Sequence, residues 1–465
     1  MTTKPGWRIE HDSMGEVRVP ANHLWGAQTE RSLHHFPIGQ PRFRWPREVI
    51  AALGLVKSAA ARANAELGTL DPAIAARIIA AADAIAAGTH DDEFPLVAFQ
   101  TGSGTQTNMN ANEVIAHLAN RASPDAPPDS PRVHPNDHAN RGQSSNDAFP
   151  TVMHVATHTT ITTQTLPALA RLRATLAAKS TDFATITMLG RTHLQDATPI
   201  TLGQVISGWV AQLDAATTAI EATLPGLRQL ALGGTAVGTG LATHPHFAAT
   251  VARHIASATN TNFETAPNKF AALSAHDAIL TASAALRGLA MAAMKIANDV
   301  RWYASGPRGG IGEITIPENE PGSSIMPGKI NPTQCEALTM VAAQVFGNDA
   351  TVAFANSQGN FQLNVFKPVI LFNTIESATL LANSLDSFNN FCATGIEPNL
   401  PAITTHLTAS LMLATALAPH IGYEKTAQIA LSAHHTGTTL REAALASGHV
   451  TEEQFDAWVR PDEMV

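Results

Sequence analysis

The sequence has little charge, few aromatic side chains and almost no cysteine. Aspartate, glutamate, lysine and arginine make up 14% of its 465 residues, and aromatic residues only 5%. The two cysteines, Cys335 and Cys392, form no CxxC pair and are too few for a disulfide framework, so we expect reduced thiols in a cytoplasmic protein. A long chain with so little charge also predicts that other subunits cover much of its surface.

Several features of other protein classes are absent too. The formal charge of −9 argues against nucleic-acid binding, which usually needs a basic stripe. No apolar run approaches the ~18 residues of a membrane span, and residues 1–14 contain no apolar signal segment, so neither a membrane anchor nor a secretory signal is expected. There is no Walker A, HExxH or zinc-spaced motif, and the glycines from Gly233 to Gly240 do not fit GxGxxG. We therefore expect no metal or dinucleotide cofactor.

Five long stretches with apolar residues at helical spacing predict an all-α fold. Helices of roughly 25 to 30 residues form rods of roughly 40 Å, which bury their apolar faces most easily side by side in a bundle. No strong alternating pattern is present, so little sheet is expected. Bends are predicted at Pro167 and Pro225. The predicted helices span 151–179, 201–232, 274–305, 332–357 and 368–394.

The same patterns predict three helical domains. Residues 1–141 mix short helices with loops, residues 142–395 contain the long-helix bundle, and residues 396–465 form a small, more broken helical end domain. In the first domain, Asp71 followed by Pro72 predicts a helix start, and Gly88 stands where that helix should end.

Four polar, glycine-containing segments interrupt the apolar helices. Hydroxyl and amide side chains, with backbone N–H groups exposed at glycine, are what a carboxylate pocket needs. Each segment taken alone is also typical of a loop or a helix cap, but four in one chain predict a shared pocket. The segments are 101–110, 134–137 with 143–147, 190–196, and 322–332.

The last segment has the most specific composition. Lys329 is its only strong cation, and Asn331 lies two residues further on. Taken without its surroundings, Lys329 fits a solvated surface charge equally well. Together the two side chains would hold a carboxylate and stabilise extra negative charge on it.

Residues 322–331, Gly-Ser-Ser-Ile-Met-Pro-Gly-Lys-Ile-Asn, resemble the signature loop G-S-S-x-M-P-x-K-x-N of the fumarase/aspartase superfamily. Other segments of the chain are similar to the class II fumarase branch of this superfamily. They are residues 328, 333–336, 134–137, 143–147, 190–199, 305–308 and 317–321. The resemblance runs from about Arg8 to Phe455. It implies a cofactor-free homotetramer with a twenty-helix core and active sites built from three subunits. The implied reaction is the reversible hydration of fumarate to (S)-malate in the tricarboxylic acid cycle.

The resemblance also implies roles for individual side chains. Ser323 matches the loop serine that removes the C3 proton. Thr192 and His193 match a pair that contacts substrate and an active-site water, and Glu336 matches the acid that partners this histidine. Further catalytic or substrate-binding residues implied are Ser103, Gly104, Thr105, Ser144, Ser145, Asn146, Ser324, Lys329 and Asn331.

A second, peripheral dicarboxylate site is implied at His134, Pro135, Asn136 and Asp137. The sequence departs from the family pattern nearby, because Pro131 stands where a basic residue is expected. Two further departures are Ala242, where asparagine is usual, and Ala272, where glutamate is usual.

These residue types suit the chemistry of dehydration. Removing the C3 proton of malate moves charge into the adjacent carboxylate, and the resulting dianionic aci-carboxylate would be stabilised by Lys329, Asn331 and backbone N–H groups. A serine is a poor base unless nearby N–H groups and a cation stabilise its alkoxide. His193 would relay a proton to the departing hydroxyl.

Two alternative functions remain open. An aspartate ammonia-lyase belongs to the same superfamily, and residues 328–336 favour the fumarase branch over it. A non-catalytic structural homologue is the other alternative, and the presence of Ser323, Lys329 and His193 argues against it.

Overall fold

The computed structural model describes residues 6–121 and 131–465. Helices form most of this described chain, so the predicted all-α class is confirmed. The α-helices are Ala27–His35, Arg47–Glu66, Pro72–Ala86, Thr105–Arg121, Ser145–Thr160, Leu166–Asp182, Leu202–Glu221, Leu224–Leu227, Phe247–Thr259, Lys269–Ser274, Asp277–Tyr303, Thr333–Asn356, Lys367–Phe391, Leu400–Ala409, Ala418–Ile421, Tyr423–Thr436, Leu440–Ala446 and Glu452–Trp458. Short 3₁₀ segments are Asp91–Glu93, Ala393–Gly395, Leu411–Leu417 and Pro461–Glu463, and π turns are Pro135–Ala139 and Ile161–Thr165.

The strands of the described chain are short and occur in pairs. Two antiparallel hairpins have the longest strands, Trp7–Asp12 with Gly15–Pro20 and Thr187–Thr192 with Gln195–Thr201. The second hairpin was not predicted, because its tip carries His-Leu rather than the Asn-Gly or Asp-Gly that marks a two-residue turn. The remaining pairs are Gln229–Leu230 with Glu264–Thr265, Ile314–Thr315 with Glu397–Pro398, and Gly359–Asn360 with Leu363–Asn364.

The predicted long helices are present, with some ends shifted. Asp277–Tyr303, Thr333–Asn356 and Lys367–Phe391 agree closely with their predicted ranges. The predicted helix 201–232 was too long, because the observed helix ends at Glu221. Pro225, which cannot donate a backbone hydrogen bond inside a helix, lies in a separate short turn.

The predicted helix 151–179 starts earlier and contains an irregular turn. It begins at Ser145, and a π turn at Ile161–Thr165 precedes the last segment, Leu166–Asp182. A π turn locally changes the hydrogen-bond pattern of a helix, which accommodates the missing N–H of Pro167 immediately after it. The bend predicted at Pro167 stays a prediction, and the described structure has a wide turn that ends two residues before this proline.

The predicted ends of the helix Pro72–Ala86 are confirmed. The Asp71 side chain accepts hydrogen bonds from the N–H groups of Ala73 and Ile74, at 2.8 and 3.2 Å. Gly88, just beyond the other end, has a φ of +91°, a conformation that favours glycine.

Contacts between Cα atoms divide the chain into two units. The first unit comprises Met1–Leu166, Thr218–Gly288 and Ala343–Leu381, and the second comprises Pro167–Thr217, Leu289–Ala342 and Ala382–Val465. The predicted domains 1–141, 142–395 and 396–465 follow chain order instead, and they stay a proposal about this chain.

Side-chain hydrogen bonds link long helices laterally within each unit. In the first unit, Ser283 donates to Asp349 at 2.8 Å, and Asn348 donates to Ser377 at 3.1 Å. In the second unit the linked pairs are Arg171–Asp386, Arg173–Asp214, Trp209–Asp299 and Gln334–Ser387. Long helices therefore lie side by side, as their length and apolar patterning predicted.

One described helix, Asp277–Tyr303, is long and apolar enough to cross a membrane by length and composition. Half of its most apolar window is buried inside the chain. The helix also contains Arg287, which forms an ion pair with the buried Asp349 at 2.7 Å.

Candidate active site

The segment 101–105 presents two hydroxyl groups at the start of a helix in the first unit. Ser103 and Thr105 are joined by a hydrogen bond of 2.8 Å, and Thr105 is the first residue of the helix Thr105–Arg121. Gly104 has a φ of +77°, and a Cβ there would approach the Phe149 ring to 2.4 Å, so glycine is required. A helix start with hydroxyl groups beside it suits a carboxylate ligand.

The segment 144–146 begins a second helix of the same unit. Ser144 forms a capping box with Asp147: its N–H donates to the Asp147 carboxylate at 2.9 Å, and its Oγ accepts from the Asn146 N–H at 3.2 Å. Asp147 is fully buried and also accepts from the N–H groups of Gly233 and Thr235, each at 2.8 Å. Burial raises the pKa of this carboxyl, and the three N–H donors oppose that rise. The helix start is therefore held rigidly.

A buried lysine supports the loop that leads into Ser144. Lys57 is 1% exposed and donates to the side-chain oxygens of Asn140 and Gln143, at 3.1 and 2.9 Å. Asn108 connects this group to the candidate site, because its amide donates to both Asn140 and the Ser145 hydroxyl at 3.1 Å. Burial lowers the pKa of Lys57 to about 7, with Asp147 opposing the shift. The sequence analysis missed Lys57, although a lysine among alanines and aliphatic residues of Arg47–Glu66 was a signal.

Thr192 and His193 lie at the tip of the second-unit hairpin. Thr192 pairs with Gln195, so His193 and Leu194 alone form the turn, with φ values of 57° and 60°. Two consecutive positive φ values are what a type I′ turn requires, and they are uncommon for residues other than glycine and asparagine. Such strain at an exposed tip is typical of a functional position.

The hairpin tip borders a cavity of about 550 Å³ in the second unit. Its lining includes Arg191, His193, Trp209 and Tyr303. His193 is therefore an exposed imidazole beside a sizeable cleft, as a proton-relaying side chain requires.

The signature loop is folded back on itself. The Gly322 N–H donates to the Lys329 carbonyl at 2.8 Å, and the Asn331 side chain donates to the Gly322 carbonyl at 2.6 Å. A Cβ at position 322 would lie 2.6 Å from the Lys329 carbonyl oxygen, so this closure requires glycine. The loop thereby brings its first and last residues together.

Ser323 has the environment that an activated hydroxyl needs. Its Oγ accepts hydrogen bonds from the N–H groups of Ile325 and Met326, at 3.3 and 3.0 Å. Two N–H donors on one oxygen stabilise its deprotonated form. The neighbouring Ser324 is exposed, and so is Lys329, whose ammonium donates to Asn331 Oδ1 at 2.6 Å.

Glu336 is exposed in the first turn of the helix Thr333–Asn356. Within the described part of a single chain, it forms no ion pair with His193, and Ser323 forms no hydrogen bond with His193. The pairing of Glu336 with His193 therefore stays a prediction.

The residues of the predicted peripheral site form a compact exposed turn. His134 precedes the turn Pro135–Ala139, accepts from the Asp137 N–H at 3.2 Å, and lies 3.1 Å from the Asp137 carboxylate. Asn136 lies within this turn. Arg77 donates to the Pro131 carbonyl at 2.8 Å, so a basic side chain from another helix lies near the position where the sequence lacks one. Ligand binding at this turn stays a prediction.

The departure at Ala242 has a structural consequence. Its φ is +65°, a left-handed conformation that asparagine tolerates better than alanine. Nothing in the structure explains the alanine at position 272.

The described residues contain no group of three or more histidine, cysteine or acidic side chains able to hold a metal ion. Cys335 and Cys392 are both buried and not bonded to each other through a disulfide. The pKa of the Cys392 thiol is raised, mainly by its hydrogen bond with Cys335 and further by burial. Both cysteines are therefore structural rather than reactive groups.

Comparison with known proteins gives matches along nearly the whole chain. Residues 15–347 match the family model described as Lyase, and residues 413–465 match the model described as Fumarase C C-terminus. The chain is 59% identical over 457 residues to the class II fumarate hydratase of Bordetella parapertussis, covering 98% of each protein. It is 57% identical over 458 residues to the corresponding protein of Chromobacterium violaceum, covering 98% of this chain and 99% of that protein. Its fold is similar to the crystal structure of class II fumarase from Schistosoma mansoni, with a TM-score of 0.96, 41% identity and 99% of both chains covered.

Proposed function

The chain belongs to the class II fumarate hydratase family of lyases, and from this membership we propose how its side chains carry out the reversible hydration of fumarate to (S)-malate. The observation that carries the proposal is the Ser323 hydroxyl, which accepts two backbone N–H groups in the loop that also holds Lys329 and Asn331. This arrangement supports a base and a charge-stabilising group side by side.

Ser323 acts as the base at C3 of malate. Its alkoxide is stabilised by the N–H groups of Ile325 and Met326, which offsets the high intrinsic pKa of a hydroxyl. When the C3 proton is removed, the electron pair moves into the neighbouring carboxylate and gives the aci-carboxylate intermediate.

Lys329 and Asn331 stabilise that intermediate. The ammonium and the amide are 2.6 Å apart and both belong to the signature loop. Because the extra negative charge exists only after deprotonation, these groups bind the intermediate more strongly than the substrate and so lower the barrier.

His193 supplies the proton to the departing hydroxyl on the opposite face, directly or through a water, which gives anti elimination. Thr192 contacts the substrate beside it, and Glu336 partners His193. Ser324 and the residues 103–105 and 144–146 bind the carboxylates, as hydroxyl groups at helix starts support.

We further propose that the enzyme is a cytoplasmic homotetramer that uses no cofactor and acts in the tricarboxylic acid cycle. A twenty-helix core is implied by the family, and each active site combines segments of three chains. Within the described residues of one chain, the Ser323 hydroxyl forms its hydrogen bonds inside its own loop and none with His193, which is compatible with this sharing.

The decisive experiment follows malate-to-fumarate conversion by ultraviolet absorbance after extensive chelation. Full activity is expected, whereas loss restored by an added metal would contradict the cofactor-free proposal. Ammonia released from aspartate, without malate dehydration, would instead assign the aspartate ammonia-lyase function. Activity with neither substrate would assign a non-catalytic structural role.

Solvent exchange of the C3 proton separates the two proton-transfer roles. Ser323→Ala should lose both dehydration and exchange by about 10²–10⁴-fold, while Ser432→Ala, an exposed serine elsewhere, should not change either. His193→Asn should lose dehydration more than exchange, because the carbanion still forms and reprotonates. Equal loss of exchange in the Ser323 and His193 variants would contradict this division.

The same exchange measurement tests Glu336. If Glu336 positions His193, Glu336→Gln should repeat the pattern of His193→Asn and lose dehydration more than exchange of the C3 proton. Unchanged dehydration would mean that Glu336 does not partner His193.

A further inference from the structure

A buried ion pair holds the strand that leads to the catalytic hairpin tip. Arg191 donates two hydrogen bonds of 2.7 Å, one to each carboxylate oxygen of Glu313. The Glu313 side chain is 0% exposed and that of Arg191 15%. Two parallel hydrogen bonds fix the orientation of the guanidinium relative to the carboxylate as well as the distance between them. The ion pair also raises the pKa of Arg191. Arg191 immediately precedes Thr192 and His193.

A third side chain completes this group. His406 Nδ1 lies 2.8 Å from Glu313 Oε1, and since the paired carboxylate only accepts, Nδ1 carries the proton and donates it. His406 belongs to the helix Leu400–Ala409, which packs against the strand Thr187–Thr192. The next residue, Leu407, is buried in the hydrophobic core of the C-terminal helices, and this packing fixes the backbone position of His406.

The hairpin needs an external support of this kind. Its tip residues His193 and Leu194 have left-handed backbones, and the strand pairing shifts register between Leu189 and Arg191. An irregular strand with a strained turn has several accessible orientations, so side chains outside the hairpin decide which one is populated.

We propose that His406 is a positioning residue for the hydratase reaction, acting on His193 through Glu313 and Arg191; this inference rests on the proposed function. His406 orients the Glu313 carboxylate, Glu313 holds the Arg191 guanidinium, and Arg191 fixes the strand that ends at Thr192. His406 itself does not touch the reacting atoms. Tyr303 and Asp196 are the other titratable groups that act on Arg191.

The test uses two replacements of His406. Leucine removes the N–H group that donates to Glu313, and asparagine retains an N–H donor in its side-chain amide. Thr404→Leu, an exposed position on the same helix, is the matched control. His406→Leu should lower kcat roughly tenfold, because a small displacement of a catalytic group has effects of this size. KM should change less than kcat, because Thr192 is the one proposed substrate contact on this strand besides His193, and the carboxylate-binding segments 103–105 and 144–146 are not touched. His406→Asn should restore most of kcat, and Thr404→Leu should match the unmodified enzyme.

Hydrogen–deuterium exchange of peptides covering 187–201 gives a second readout that needs no activity. Exchange in these peptides should rise in His406→Leu and return towards the original rate in His406→Asn. A fall in kcat without faster exchange in 187–201, or faster exchange spread evenly over the chain, would overturn the proposal. Unchanged kcat and unchanged exchange would overturn it as well. An inactive unmodified enzyme would instead defeat the proposed function, independently of the exchange result.

Discussion

Ser323 and Lys329 share one loop, but their surroundings differ in a way that fits the different tasks proposed for them. Ser323 is partly exposed and its oxygen receives two N–H donors, whereas Lys329 is exposed and, among the described residues, its ammonium donates to the neutral amide of Asn331. A neutral amide does not cancel the charge of an ammonium, so that charge can attract an incoming anion. These differences support the proposal that Ser323 removes the proton and Lys329 stabilises the charge.

Replacing Lys329 by methionine tests the second task. Lys329→Met keeps the approximate length and removes the cation, so kcat and kcat/KM should fall together, because the stabilised charge exists only after deprotonation. Lys425→Met, at an exposed lysine of a C-terminal helix, is the control and should leave both constants unchanged. A higher KM with unchanged kcat would mean that Lys329 only binds the substrate.

Lys57 makes the stability of the protein depend on pH. Its pKa falls from 10.5 in the unfolded chain to about 7 in the folded one, because burial disfavours the charged form. Between these values the unfolded state binds more protons, so the free energy of unfolding rises as pH increases from 7 towards 10.5. The contribution of neutral Lys57 to the free energy of unfolding is complete above pH 10.5, decreases as the pH falls, and is lost once the pH has fallen through 7.

Denaturant unfolding at pH 7, 8 and 9 measures this contribution. Relative to Lys57→Met, the original chain should gain about 2 kcal/mol of unfolding free energy between pH 7 and pH 9. Lys425→Met, which removes an exposed lysine, should show the same pH slope as the original chain. Parallel curves for the original chain and Lys57→Met would show that Lys57 is not neutral in the folded state.

Among the elements, the hairpin formed by Thr187–Thr192 and Gln195–Thr201 has the conformation that agrees least with the backbone preferences of its own residues. The helix Pro72–Ala86 begins and ends where local signals place it, but this turn has two non-glycine residues with positive φ. Leu194 is 70% exposed, so its side chain gains little from packing within the chain. The strained conformation therefore persists because the strands and the Arg191–Glu313 pair hold it.

Leu194→Gly should relieve part of this strain. Glycine adopts left-handed backbone readily, and the unfolding free energy should rise by about 1 kcal/mol, measured by denaturant unfolding. Leu431→Gly, at an exposed leucine inside the helix Tyr423–Thr436, should lower it by about 1 kcal/mol. Destabilisation by Leu194→Gly would indicate that the leucine is buried when chains assemble.

At the scale of the whole molecule, a single chain exposes large apolar side chains along its long helices. Examples are Met291, Trp302, Met340, Phe354 and Phe391, each more than half exposed. Exposed apolar surface of this extent is typical of a face that other subunits cover. It agrees with the low charge content of the sequence and supports the proposed tetramer.

Mixing two inactive variants tests the shared sites. If each site takes Ser323 and His193 from different chains, mixed tetramers of Ser323→Ala and His193→Asn should regain partial activity, because some sites contain neither substitution. Dissociation to monomers should abolish activity, which sedimentation with a parallel assay would follow. Mixed tetramers that form but stay inactive would contradict shared sites.

The sequence by itself determined the helical class, the long helices and the candidate catalytic loop. Helix periodicity and caps such as Asp71 are local signals, and the loop 322–331 is a continuous motif, so neither needs knowledge of distant residues. It left open which residues outside the motifs support them. The helix predicted for 201–232 was too long, because periodicity alone did not weigh Pro225 strongly enough.

Only the tertiary structure decided the surroundings of the candidate catalytic groups. Arg191 and Glu313 are 122 residues apart in sequence, and Glu313 and His406 are 93 apart, so no local pattern pairs them. The burial of Lys57 and its bonds to Asn140 and Gln143 likewise arise from packing between distant segments. The left-handed turn at His193 and Leu194 exists because the paired strands impose it, against the local preference of both residues.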